Sequence, residues 1–77
     1  MNTAKQYSLN DIIVGIVRDM QPISNREIWL EIGEALSGYP APSQQKVNLS
    51  LEQMEKRKIL RKIMFPDGRE KYSISAQ

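Results

Sequence analysis

The tripeptide Pro66-Asp67-Gly68 stands between two short runs, "RKIMF" and "REKY". Asp-Gly in that setting is a strong hairpin signal, because both residues accept the left-handed dihedrals of a tight turn. The two arms carry four cations, Arg61, Lys62, Arg69 and Lys71. An isolated two-stranded hairpin is marginal in water. The rest of the chain must therefore supply an apolar body for this one to lean on, through Ile59, Ile63 and Tyr72 or the alternate side chains of the same strands.

That body reads as three helices. The first is predicted over residues 8–20. Ser8 is a natural N-cap with Asp11 three residues on, and Tyr7 and Ile12 stand where a hydrophobic staple packs. Leu9, Ile12, Ile13, Ile16 and Met20 recur at helical spacing, with Val17 widening the stripe. Gly15 lies within it, where glycine costs about 1 kcal/mol relative to alanine; close approach of another backbone is the expected reason, plain tolerance the other. Pro22 ends the helix by disfavouring helical geometry at Gln21.

The second helix, over 24–36, opens with a capping box, Ser24-x-x-Glu27, inside an Ile23/Ile28 staple. Ile28, Ile32, Ala35 and Leu36 line one face with Trp29 on its flank, and Leu30 points roughly the opposite way. In "SGYPAPS", Gly38, Pro40 and Pro42 forbid continued helix. The third helix is predicted from Ser43 to Arg57, with Val47, Leu51 and Met54 inside and Gln45, Leu49, Glu52 and Lys56 outside.

Composition removes whole classes of function. The 77 residues include no cysteine and no histidine, so there is no disulfide, no thiol nucleophile and none of the usual nitrogen or sulfur metal ligands. No enzyme, cofactor or metal is expected. The opening "MNTAKQYSLN" is no signal peptide. The longest apolar run, Ile12-Ile13-Val14, is far short of the roughly 20 residues that span a bilayer. A cytoplasmic protein without a membrane partner is the expectation. Net charge is +2, but residues 1–42 carry −2 and residues 43–77 carry +4. An excess of cations in one half suggests a polyanion partner, and is equally read as an uneven solvated surface.

The order helix, helix, turn, helix, basic hairpin resembles the winged helix-turn-helix family. The resemblance rests on "SNREIWLEI" for the second helix, "SQQKVNLSLEQMEKRKIL" for the third and "RKIMFPDGREKYSI" for the wing, and covers about residues 8–75. It implies a mainly α fold of three helices followed by a two-stranded wing, a single domain over 1–77 with flexible ends at 1–7 and 75–77. Two departures stand out. Lys58 occupies the place where such families usually end the third helix with glycine, so a lysine takes the left-handed cap conformation or the helix ends differently. "SGYPAPS" is also longer than the tightest helix-turn-helix turn.

The resemblance implies a third helix in the major groove of double-stranded DNA and a hairpin on the phosphates. Gln45 and Asn48 then carry amides for adenine and Leu49 an apolar surface for a thymine methyl. Ser43, Lys46, Lys56, Arg69 and Lys71 suit phosphate oxygens. Glu52 is read as the helix partner of Lys56, with acceptance from cytosine as the alternative. Plainer readings exist for each: amides on an ordinary helix surface, hairpin cations that guard an exposed strand edge, and "EKRK" as a solvated helix end whose cations suit the dipole. The function implied is a small sequence-specific DNA-binding protein, a transcriptional regulator of a bacterium, phage or plasmid. The alternative is a winged-helix module that binds protein and not DNA. A homodimer, through the first helix or the Leu30 face, is a further option.

Overall fold

The computed structural model describes residues 8–75. The Tyr7 half of the first staple lies outside it, as do the expected flexible ends apart from Ser75. Three helices, α1 (Leu9–Met20), α2 (Asn25–Ala35) and α3 (Gln44–Lys56), precede β1 (Leu60–Met64) and β2 (Glu70–Ile74). The order is that of a winged helix.

Each helix begins where a serine dictates. Ser8, Ser24 and Ser43 have extended backbone, and each hydroxyl accepts from the N–H three residues on, at Asp11, Glu27 and Lys46. Such a bond satisfies a donor that the helix leaves orphaned. At Ser24 the capping box is complete, because the Glu27 carboxylate also accepts the Ser24 N–H at 3.2 Å. Those bonds to Ser24 hold the Glu27 carboxyl below its ordinary pKa, with Lys71 and Arg69 adding smaller attraction.

The core gathers Ile13 and Val17 of α1, Ile28, Ile32 and Leu36 around α2, Val47, Leu51 and Met54 of α3, and Ile23, Leu60 and Tyr72. Full burial of one such aliphatic side chain is worth about 1.5–3 kcal/mol. Two α1 expectations change. Met20 is 46% exposed, because the core ends a turn earlier and its side chain projects beside Leu30 into a groove. Gly15 is not a close-approach glycine: an added Cβ would meet only the Arg18 guanidinium, at 3.9 Å. It is simply tolerated. Ala35 is likewise exposed at the end of α2.

The hairpin is antiparallel, with Leu60 opposite Ile74, Lys62 opposite Tyr72 and Met64 opposite Glu70. Side chains alternate across a strand, so Leu60, Tyr72 and Ile74 share the face against the helices, while Ile63 belongs to the other. Ile59 is 39% exposed. The face that leans is thus Leu60/Tyr72/Ile74 and not Ile59/Ile63. The turn differs too. Gly68 N–H donates to the Phe65 carbonyl at 2.9 Å and Phe65 N–H to the Arg69 carbonyl at 2.8 Å. Gly68 alone takes positive φ, at 93°, and Asp67 does not. Pro66, Asp67 and Gly68 therefore form a three-residue loop closed by a left-handed glycine, which suits proline at the first loop position better than a two-residue turn.

An isolated bridge adds a third extended segment beside the hairpin. Ile23 pairs with Tyr72: Ile23 N–H donates to the Tyr72 carbonyl at 3.1 Å and Tyr72 N–H to the Ile23 carbonyl at 2.7 Å. Beside it, the Gln21 side-chain carbonyl accepts from the Ser73 hydroxyl and from Ile74 N–H. Gln21 itself is extended, with ψ 146°, as the following proline requires.

At the other end of α3, Lys58 has φ 63°. Its N–H donates to the Glu55 carbonyl and Ile59 N–H to the Met54 carbonyl, at 3.0 and 2.9 Å. This is the paired bonding of a Schellman cap with lysine in the glycine position. A left-handed L-residue costs about 1–2 kcal/mol.

Ser24→Ala removes the α2 cap, so a drop of about 1 kcal/mol in unfolding free energy is expected from denaturant titration; an unchanged midpoint would mean that Ser24 does not cap. The lowered Glu27 pKa gives a pH test. A carboxylate favoured by the fold contributes stability that is complete above the unfolded value of about 4.3 and is lost as pH falls through the folded value. Glu27→Gln, which can still accept one capping bond, should flatten the stability curve below about pH 4.3. Superimposable acid limbs for the two proteins would refute this.

Candidate nucleic-acid interface

The outer face of α3 is built by default. Val47, Leu51 and Met54 are fully buried, and helical periodicity then leaves Gln45, Leu49, Glu52 and Lys56 in water. All four are exposed, Leu49 to 55%. Lys46 is exposed at the first turn, and Ser43 caps it. The Ser43 hydroxyl accepts the Lys46 N–H at 3.2 Å and keeps its own proton to donate. Gln45, Lys46, Leu49 and Lys56 thus occupy one helix surface, open to a partner.

Asn48 sits apart from them. It is half-buried on the α2 side, and its carbonyl accepts from the Asn25 side-chain amide at 3.1 Å. One half of a bidentate amide is therefore engaged in joining α2 to α3, leaving its NH2 group to donate. A second tie crosses the same seam: the Trp29 indole N–H donates to the Pro42 carbonyl at 3.0 Å. Trp29 is half-buried and packs against the core, and its polar edge anchors the long turn before α3.

The hairpin cations are sorted by the strand they stand on. Lys62 faces α3, 3.8 Å from the Glu55 carboxylate and 3.5 Å from that of Glu70, with the Tyr72 ring centroid at 5.8 Å. Its pKa is raised, first by Tyr72 and then, against the effect of burial, by the two glutamates. Arg69 is at the tip, held to Asp67 by a bond of 2.7 Å, and Asp67 also accepts the Arg69 N–H. Those two bonds depress the Asp67 pKa. Lys71 is half-buried on the face away from α3, with its ammonium 5.5 Å from the Phe65 ring centroid. It lines a groove of about 200 Å³ with Met20, Pro22, Ile23, Glu27, Leu30 and Glu31.

Glu52 makes no ion pair with Lys56 among the described residues; the glutamate engaged on this side is Glu55, with Lys62. The expected Glu52–Lys56 helix pair is therefore absent. A shallow groove between α3 and β1 is lined by Glu52, Glu55, Lys56 and Lys62. Among the described residues no group of three acidic side chains is placed to hold a metal ion, and no helix is long and apolar enough to cross a membrane.

No family model matches the chain, and no curated protein sequence does. A solved structure does: the ferric uptake regulator Fur of Helicobacter pylori, a protein with three functional metal-binding sites. The two share 20% identity at a TM-score of 0.73, over 88% of this chain and 45% of that one. This chain spans less than half the length of that protein. The likeness establishes the winged-helix fold.

The Asn25–Asn48 bond is open to a double-mutant cycle on stability. Asn25→Ala and Asn48→Ala should each destabilise, with a coupling of about 0.5–1.5 kcal/mol measured by urea titration. Strict additivity would show that the two amides act independently.

Proposed function

We propose that the chain is a single winged-helix domain that binds double-stranded DNA in a sequence-specific way and acts as a cytoplasmic transcriptional regulator. The observation that carries this reading is the outer face of α3, where Gln45, Lys46, Leu49 and Lys56 are all exposed and neither lysine has an ion-pair partner among the described residues. A regulator among the proteins of this fold supports it. In this reading α3 lies in the major groove. Gln45 pairs with adenine through its amide, Leu49 packs on a thymine methyl, and Asn48 donates through its NH2 group. Ser43 and Lys46 meet phosphates at the start of the helix, where free backbone N–H groups also favour an anion. Lys56 does so near its end. Arg69 and Lys71 reach phosphates from the hairpin, and each first gives up a contact, with Asp67 and with Phe65.

A protein-binding module is the second reading. Its specific support is the groove beside α2, where Met20 and Leu30 are 46% and 50% exposed next to Glu27 and Glu31. DNA titrations separate the two. Gln45→Ala should weaken binding to a site selected from random DNA by about 1–3 kcal/mol and hardly affect random DNA. Lys46→Ala should weaken both and reduce the salt slope by about one. Absence of salt-dependent DNA binding by the wild-type chain would sink the DNA reading and leave the module.

A further inference from the structure

The α3–β1 corner carries a run of cations, of which the proposed function uses only Lys56. Lys56, Arg57 and Lys58 are consecutive and exposed, and none has an ion-pair partner among the described residues. Three of the four hairpin cations are engaged, Lys62 by Glu55 and Glu70, Arg69 by Asp67 and Lys71 against Phe65, and the fourth, Arg61, stands on the strand face directed away from α3. Lys58 is also strained. It is the only non-glycine residue with positive φ among those described, in a cap position that glycine fills without cost. Backbone strain of this kind concentrates at functional sites.

Helix length supplies the geometry. At a rise of about 1.5 Å per residue, Lys56 lies about 10 Å along the axis from Leu49. The major groove is about 12 Å wide. With Gln45 and Leu49 on base edges, the last turn of α3 must leave the groove over a sugar-phosphate backbone. The Schellman cap holds Arg57 and Lys58 at that exit.

We infer that Arg57 and Lys58 form a second phosphate-binding element at the α3–β1 corner, which clamps the DNA backbone where α3 leaves the groove. The inference rests on the DNA-binding reading above and adds two residues to it. Lys58 keeps its left-handed place because its ammonium, and not its backbone, is what the position uses.

The test is fluorescence anisotropy of the full chain on a labelled random-sequence duplex across a range of salt concentrations, with Tm measured in parallel. Lys58→Gly is the informative variant, since glycine relieves the strain and cannot compromise folding. It should raise Tm while reducing affinity several-fold and the salt slope by about one. Arg57→Ala should reduce the slope similarly, and the double variant by about two. Arg61→Ala removes the same charge from the hairpin face directed away from α3 and should leave the slope unchanged. A higher Tm with an unchanged slope for Lys58→Gly would make Lys58 a tolerated cap and overturn the inference, as would an equal loss with Arg61→Ala. In either case Lys46→Ala would still report whether DNA is bound at all. A wild-type chain without salt-dependent binding would remove the DNA reading and the corner clamp together.

Discussion

The pairing of Ile23 with Tyr72 holds this structure together across its two halves. Two backbone hydrogen bonds, of 3.1 and 2.7 Å, join the segment between α1 and α2 to the second hairpin strand. Without them the hairpin is a two-stranded ribbon with an open edge on both sides, which is marginal in water. With them Tyr72 is buried to 7% exposure, and Leu60 and Ile74 come down on α1 and α3. The short segment that does this is also the helix breaker. Pro22 forces Gln21 into extended geometry, and that turn sends both Gln21 and Ile23 alongside β2.

Because the hairpin is anchored on one face, its charges fall into separate roles. Lys62 stands on the anchored face and is bound to α3 through Glu55. Lys71 stands on the other and lines a groove with Glu27 at the start of α2. Arg69, at the tip, is stapled to the turn by Asp67. Of the four cations of the basic hairpin, Lys62 becomes a brace to α3, Lys71 an edge residue and Arg69 a restrained tip, while Arg61 faces away from α3. At the two ends of α3, Lys46, Lys56, Arg57 and Lys58 have no ion-pair partner among the described residues. Exposed ion pairs are individually weak, at about 0–1 kcal/mol, so Arg69 is restrained and not withdrawn.

The seam between α2 and α3 is narrower in chemistry than in contact. Ile28, Ile32, Val47 and Leu51 fill it, and two polar ties set how the helices cross. Asn48 serves one of these and also borders the exposed face of α3. The residue is half-buried in the seam, and its NH2 group is left to donate. An asparagine in that place couples the angle of α3 to the chemistry it presents.

What the sequence determined by itself is local. Three serine caps, the capping box, the proline stop and the position of the hairpin turn each depend on residues within about four positions of one another, and the helices begin and end within a residue or two of where those signals stand. The outer face of α3 was legible for the same reason: helical periodicity names the buried residues, and the exposed ones follow. Lys58 was legible as a problem and not as a solution. The tertiary structure alone decided which hairpin face packs, because a strand offers Ile59 and Ile63 on one face and Leu60 on the other, and a one-residue change of register exchanges them. It decided the Ile23–Tyr72 pairing, the Asn25 partner of Asn48 and the choice of Glu55 over Glu52 as the glutamate in an ion pair. Each joins residues distant in the chain, and their geometry is set only when the helices have packed. It also left Gly15 and Met20 at the margin of the core, since periodicity gives the direction of a side chain but not how far the neighbouring helix extends to cover it.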